Sequence, residues 1–314
     1  MMLAACYSAL GVALFALPQL WLPLAIVVAG VAIALHASLQ HEAIHGHPFA
    51  RGWLNALIVS PACTLVAPYA RFRATHLAHH RDANLTDPYD DPESHYLDPA
   101  RWHTLPRPLQ ALLLANNTLL GRITLGPTIG TVGFILNEVR AYRAGDRGVL
   151  TGWLWHIPAV AVVILVVALS PMPLWAYLIA AYLGMGLLRI RTFLEHRVHV
   201  AARARTVIIE DKGPLAWLFL NNNYHVVHHM HPNVPWYLLP SLYRANRARY
   251  MAVNDGYVYR SYGEVFARYF MTRKDPVAHP LMDAPIPDQP HARPDGPAAR
   301  DPAIARRQPE GRPA

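Results

Sequence analysis

Apolar positions run almost unbroken from Leu3 to Leu39, interrupted only at Leu17-Pro18 and near Pro23. A helix that crosses the roughly 30 Å hydrocarbon core of a bilayer needs about 20 mostly apolar residues. The run therefore predicts two closely spaced spans, residues 3–17 and 21–39. The first lacks the positively charged start of a secretory signal peptide and is read as a span. A second apolar hairpin covers 150–169 and 174–188, joined by Ser170-Pro171-Met172-Pro173. Two further apolar stretches, 53–69 and 112–136, are punctuated by Pro61, Pro68, Asn116, Asn117, Arg122 and Pro127. These are expected at the interface, or packed as buried helices that do not cross. Beyond Asp275 the chain turns to Pro, Ala, Arg and Asp, and ten of its 28 prolines fall between Pro276 and Pro313. Such a segment buries too little apolar surface to offset its ordering entropy. The pattern thus predicts an all-α integral membrane protein with about four transmembrane helices and a helical cap on one face. This domain spans 1–275, and a disordered tail follows over 276–314.

Composition agrees with that picture. Apolar residues make up 53% of the chain and charged ones only 15%, well short of a soluble domain's share. No Lys or Arg precedes Arg51, yet 28 basic residues outnumber 20 acidic ones overall. The excess fits one basic, water-facing membrane side. The basic residues lie in loops between apolar runs, so nucleic acid is not an expected partner. Two cysteines, Cys6 and Cys63, supply neither a disulfide framework nor the four thiolates of an iron–sulfur cluster.

Histidine changes the picture most, with 18 residues gathered largely in four clusters. His41 and His45 stand four apart at the end of the second span, on one helical face. His76, His79 and His80 form a His-x-x-His-His pattern on one face, and His225, His228 and His229 repeat it before Pro232 and Pro235 end the helix. Glu195-His196-Arg197-Val198-His199 follows the last span. The scattered His36, His95, His103, His156, His279 and His291 are read as ordinary surface or hydrogen-bonded histidines. The clusters point to metal, because imidazole is the commonest metal-binding side chain. A structural zinc takes four ligands and a catalytic zinc three. Eight patterned histidines, or nine with His196, suit two metals with four or five imidazoles each, drawn from iron, copper, nickel or zinc.

The three boxes, His41-Glu42-Ala43-Ile44-His45, His76-Leu77-Ala78-His79-His80 and His225-Val226-Val227-His228-His229, resemble those of the membrane fatty acid desaturase/hydroxylase superfamily. So do the acidic, proline-containing run Arg81–Pro92 after box two and Asn221-Asn222-Asn223-Tyr224 before box three. The resemblance covers about residues 20–250. Arg191-Thr-Phe-Leu-Glu195-His196-Arg197 is similar to the corresponding segment of bacterial hydrocarbon oxygenases and carotenoid ketolases. That likeness favours His196 over His199 as a ninth ligand. Animal acyl-CoA desaturases carry Asn where Thr192 stands, so an Asn-bound water is not carried over. The resemblance implies a non-haem di-iron centre held by His41, His45, His76, His79, His80, His196, His225, His228 and His229. It implies O₂ as co-substrate and a lipid acyl or other hydrocarbon chain as substrate, with fatty acid desaturation as the first reading. Lipid hydroxylation and carotenoid ketolation are the alternatives. Glu42, Asp82 and Glu195 are candidates to orient the ligating imidazoles. With no Cys₄ cluster and no nucleotide-binding glycine fingerprint in the sequence, electrons are expected from an external carrier such as a ferredoxin. The basic face is a candidate to dock it.

Boxes that share a metal centre must share a membrane side. Only 30 residues separate His45 from His76, too few for two spans and a turn, while one crossing would part the boxes. Residues 53–69 should therefore not cross, and the 150–188 hairpin supplies the even number of crossings needed between His80 and His196. Arg51, Arg71, Arg73, Arg81, Arg189, Arg191 and Arg197 flank the boxes. They mark that face as cytoplasmic and the membrane as the inner one. Two rivals come from other classes. A histidine-rich metal transporter would place its ligands inside the spans, where the second hairpin offers only His156. A zinc-dependent membrane hydrolase needs fewer histidines and a carboxylate base in a fixed motif.

Overall fold

The computed structural model describes residues 1–282, except for the side chain of Asp82, which lies outside the described residues together with 283–314. In chain order the helices are α1 (Met2–Phe15), α2 (Leu17–Leu20), α3 (Leu22–Ile44), α4 (Gly52–Ile58), α5 (Tyr69–His79), α6 (Pro99–Thr104), α7 (Arg107–Asn116) and α8 (Leu119–Thr124). There follow α9 (Gly126–Arg143), α10 (Arg147–Ala168), α11 (Leu174–Thr192), α12 (Pro214–Leu218), α13 (His225–Met230), α14 (Leu239–Ala245), α15 (Arg247–Val253) and α16 (Tyr262–Tyr269). One small parallel pair joins β1 (Ile208–Ile209) to β2 (Val258–Tyr259), with Ile208 opposite Val258. The fold is helical, as the periodicity predicts.

Among the described residues four helical segments are long and apolar enough to cross a membrane: Met2–Leu20, Leu22–Ile44, Arg147–Ala168 and Leu174–Thr192. They match the four predicted spans. Lipid tails are as apolar as leucine, so such helices associate through close packing of small residues. Ala25, Ala29, Ala176, Ala180 and Ala181 are buried in one cluster with Ile33 and Tyr177. A Cβ added at Gly184 of α11 would stand 2.8 Å from the carbonyl oxygen of Gly30 on α3. Large side chains on α10, among them Leu154, Trp155, Ile157 and Leu165, stay exposed, as suits a surface facing lipid.

The 53–69 stretch contains a single seven-residue helix. At 1.5 Å per residue it rises about 10 Å, far short of a crossing. The unwound chain after it is buried at Val59, Ala62 and Cys63. Its carbonyls are met from the spans: Gln40 Nε2 donates to Val59 O (2.9 Å), Tyr177 OH to Cys63 O (2.8 Å) and Tyr7 OH to Ile58 O (2.7 Å). That is why an apolar segment without regular structure is tolerated there. The 112–136 stretch likewise breaks into α7, α8 and α9. One ion-pair group ties α5 to this layer. Arg71 Nε reaches both Glu138 oxygens (3.0 and 2.8 Å), its Nη1 lies 3.0 Å from Asp146, and Trp153 Nε1 donates to Glu138.

Of the expected tail, residues 276–282 are described and packed. The Leu97 amide donates to Val277 O (2.9 Å), the His279 amide to Leu97 O (2.8 Å), and His279 is buried against Tyr96. The packed chain thus runs past Asp275 to Met282. The rest of the segment, with His291, lies outside the described residues.

Candidate metal centre

Four elements bring the clustered histidines together. The apolar run of α3 continues past the span into His41, with His45 at its C-cap. α5 presents His76 and His79 and ends on His80; α13 presents His225, His228 and His229. His196 sits in the turn after α11, where it bridges to Thr206. The nine imidazoles form two groups. His41, His45, His76, His80 and His228 make one, and His79, His196, His225 and His229 the other, each with its ligand-type nitrogens within 4.8 Å of one another.

The boxes do not act as single faces. His79 and His80 are adjacent on α5, as are His228 and His229 on α13, and a 100° step turns each neighbour toward a different group. Box two gives two rings to the first group and one to the second, and box three does the reverse. The two groups abut, since His80 stacks on His229 at 4.3 Å between centroids.

Hydrogen bonds on the far side of the rings decide which nitrogen keeps a lone pair. His76 Nδ1–H donates to Glu93 (3.0 Å), His79 Nδ1–H to Asp91 (2.8 Å) and His225 Nδ1–H to Asn222 Oδ1 (3.2 Å). A carboxylate or amide oxygen accepts, so Nδ1 carries the proton in each of these bonds, and the inward-turned Nε2 is the nitrogen left for a metal. Those Nε2 atoms then face other ring nitrogens at 3.0 Å (His45–His76 and His76–His80), 2.9 Å (His79–His196) and 3.1 Å (His196–His225), and His80 and His228 face each other at 3.2 Å. Buried His41 Nε2 has no hydrogen-bond partner at all. Ligands about 2.1 Å from a metal and at right angles to one another stand roughly 3 Å apart. The donor set and its spacing fit a pair of nitrogen-bound metal ions.

Charge supports the same reading. Burial, followed by the neighbouring imidazoles, holds His45 down at about 3. Burial first and then neighbouring charge also keeps His80, His196, His225 and His228 below the usual histidine range. The shift favours the neutral ring, the form that binds metal. At His79 burial opposes the charge, but Glu93 and Asp91 outweigh it and raise the ring to about 9, so metal binding there must displace a proton.

The orienting carboxylates differ from those expected. Asp91 and Glu93 carry the role; Asp91 lies in the acidic run after box two and Glu93 directly follows it, and no spacing rule announces the fold of this segment back onto α5. Glu42 turns away and accepts the Trp236 amide at 3.0 Å. Glu195 contacts Arg191 (3.1 Å), accepts from Asn222 Nδ2 (2.9 Å) and lies 3.8 Å from His225. The side chain of Asp82 is outside the described residues. His199 lies outside both groups, 3.3 Å from Asp255. His36 and His156, inside the spans, contact Tyr7 OH (3.1 Å) and Leu65 O (3.3 Å).

The fixed motif that a zinc hydrolase needs is present in box one. His41-Glu42-Ala43-Ile44-His45 does spell His-Glu-x-x-His, in which the glutamate is a zinc enzyme's general base. Here three further histidines share that group, and Glu42 is committed to a backbone amide.

The profile of the fatty acid desaturase family matches residues 18–262. A beta-carotene ketolase from Paracoccus sp. (strain N81106 / MBIC 01143) is 28% identical over 219 residues, covering 68% of this chain and 73% of the ketolase. With most of its length matched and its histidines gathered in two metal-ligand groups, the chain belongs to the fatty acid desaturase family.

Proposed function

We propose that the two histidine groups each hold one iron and that the protein is an O₂-dependent oxidoreductase acting on a lipid hydrocarbon chain, with acyl-chain desaturation as the first reading. The nine ligands are His41, His45, His76, His80 and His228 at one ion and His79, His196, His225 and His229 at the other. The observation that carries this is the inward convergence of imidazole nitrogens whose far sides are fixed by Glu93, Asp91 and Asn222. When bound, the ions supply the power to take hydrogen from an unactivated C–H bond with O₂ and two electrons. The chain's own part is to orient the rings, exclude bulk water and hold the centre beside the membrane. Electrons come from an external carrier of ferredoxin type. The boxes face the cytoplasm across the inner membrane, with the arginines beside them as the topological signal.

Hydroxylation is the alternative outcome of the same chemistry. The likeness to a beta-carotene ketolase favours a second reading, oxygen insertion into a carotenoid. A metal transporter is disfavoured because the intraspan His36 and His156 are engaged singly by Tyr7 and Leu65 rather than lining a path. The test is expression in a heterologous host followed by mass spectrometry of total lipids, with His228→Ala as control. Acyl chains that lose two hydrogens support desaturation, and gain of one oxygen supports hydroxylation. Exchange of two hydrogens for oxygen in an added carotenoid supports ketolation. No change in any lipid, with a carrier supplied, contradicts the proposal.

A further inference from the structure

In the four-histidine group, His79 and His225 each have the far nitrogen of the ring fixed, by Asp91 and Asn222. His196 has no such anchor. Its Nε2 faces His79 and His225, while its Nδ1 is buried without a hydrogen-bond partner. It also stands outside the helices, in the turn after α11. What sets this ring must therefore act through its backbone.

That backbone is held along one edge by a ladder. His196 lies opposite Thr206 in an antiparallel bridge, whose two hydrogen bonds run from the Arg197 amide to Arg205 O (2.8 Å) and from the Val207 amide to Glu195 O (3.1 Å). In a pair of this kind the bonds belong to the flanking residues, so the His196 carbonyl points away from the ladder and needs a donor elsewhere. Among the described residues Lys274 Nζ is that donor. The ammonium is itself held in place. Its side chain is 9% exposed, with Asp275 at 3.6 Å, and the Lys274 amide donates to Asn117 O at 3.0 Å. Asp275 in turn accepts the Tyr96 hydroxyl on its carboxylate and Asn117 Nδ2 on its carbonyl oxygen. Enclosing an ammonium costs hydration, and here part of its bonding capacity goes to a neutral carbonyl of a site residue.

We propose that Lys274 is the positioning residue of His196: it fixes the backbone that carries this ring and so holds Nε2 in register with His79 and His225. The inference rests on the reading of His196 as a ligand of the second ion. It deepens that reading by assigning the ring's placement to a residue 78 positions further along the chain. Loss of the contact should be felt at the four-histidine site and not at the five-histidine site.

The test follows the two sites separately, by Mössbauer spectroscopy of the iron-57-loaded, full-length protein in detergent during titration with a chelator. Lys274→Met should weaken retention at the four-histidine site about 10- to 100-fold, the range for a lost ligand-orienting contact, and leave the other site unchanged. Lys274→Arg, which keeps a cationic donor, should restore most of it. Lys274 also borders an open cavity of about 400 Å³, lined with Tyr96, Arg197, Tyr257 and Asp275, so a small amine can reach the place of its side chain. Lys274→Ala should therefore recover with propylammonium, which donates N–H, and not with tetramethylammonium, which carries the same charge without a donor. Parental retention in Lys274→Met would overturn the proposal. So would equal weakening of both sites that neither arginine nor propylammonium relieves. His196→Ala separates the two levels. If it too leaves the four-histidine site intact, the ligand reading falls together with the inference. If it empties that site while Lys274→Met does not weaken it, the inference alone falls.

Discussion

Asp91 shows how much a single side chain outside the boxes decides. One of its oxygens accepts from His79 Nδ1 (2.8 Å) and the Glu93 amide (2.9 Å), and the other from the Thr86 amide (2.9 Å). It therefore fixes a ring of the second group and the position of Glu93, which fixes a ring of the first. Removing such a partner typically costs about 10- to 100-fold in metal affinity. Asp91→Asn should lower iron retention by that order while the protein still inserts in the membrane; iron titration against a chelator measures it. Glu42 provides the opposite case. Gln at this position still offers an oxygen to the Trp236 amide, so Glu42→Gln should keep both iron and lipid oxidation. A hydrolytic zinc centre would instead lose its base, and a peptide- or ester-cleaving activity abolished by this variant would refute the assignment.

At the level of elements, the approach of α3 to α11 sets where His41 and His45 emerge. Gly184→Ala places a methyl 2.8 Å from the Gly30 carbonyl oxygen and 2.9 Å from Ile33 Cγ2, so backbone must move. Overpacking of this kind costs about 1–3 kcal/mol. It should lower the thermal midpoint in detergent, whereas Gly11→Ala, with open space around it, should not. The segment after α16 matters for a related reason. Lys274 Nζ donates to the His196 carbonyl oxygen, and residues 277–279 pair with Leu97. Truncation after Met282 should leave iron content unchanged, while truncation after Asp275 should loosen this strap and reduce it. The spans were legible because a run of apolar residues is a one-dimensional signal. The box histidines were legible because three- and four-residue spacings survive folding. Asp91 and Glu93 were not, since each depends on where the chain returns. The split of each His-x-x-His-His box between two groups was also hidden, because it needs the opposing helix to reveal which neighbour looks which way.

For the whole molecule, the account requires every box on one side of the membrane and both hairpin turns on the other. Single cysteines at the exposed Arg51, Arg81 and Arg244 should label from the cytoplasm, and those at the exposed Gln19 and Pro171 from outside, in a background lacking Cys6 and Cys63. Labelling of positions 51 and 81 from opposite sides would make a shared site impossible, because roughly 2 Å metal–imidazole bonds leave no slack across a 30 Å core. The most direct measurement is metal analysis of the purified full-length protein, combined with Mössbauer spectroscopy of iron-57-labelled material. The account predicts two irons per chain in nitrogen-rich environments, with His228→Ala perturbing the five-histidine site and His225→Ala the four-histidine site. One zinc per chain, or a single class of iron unaffected by either substitution, would contradict it.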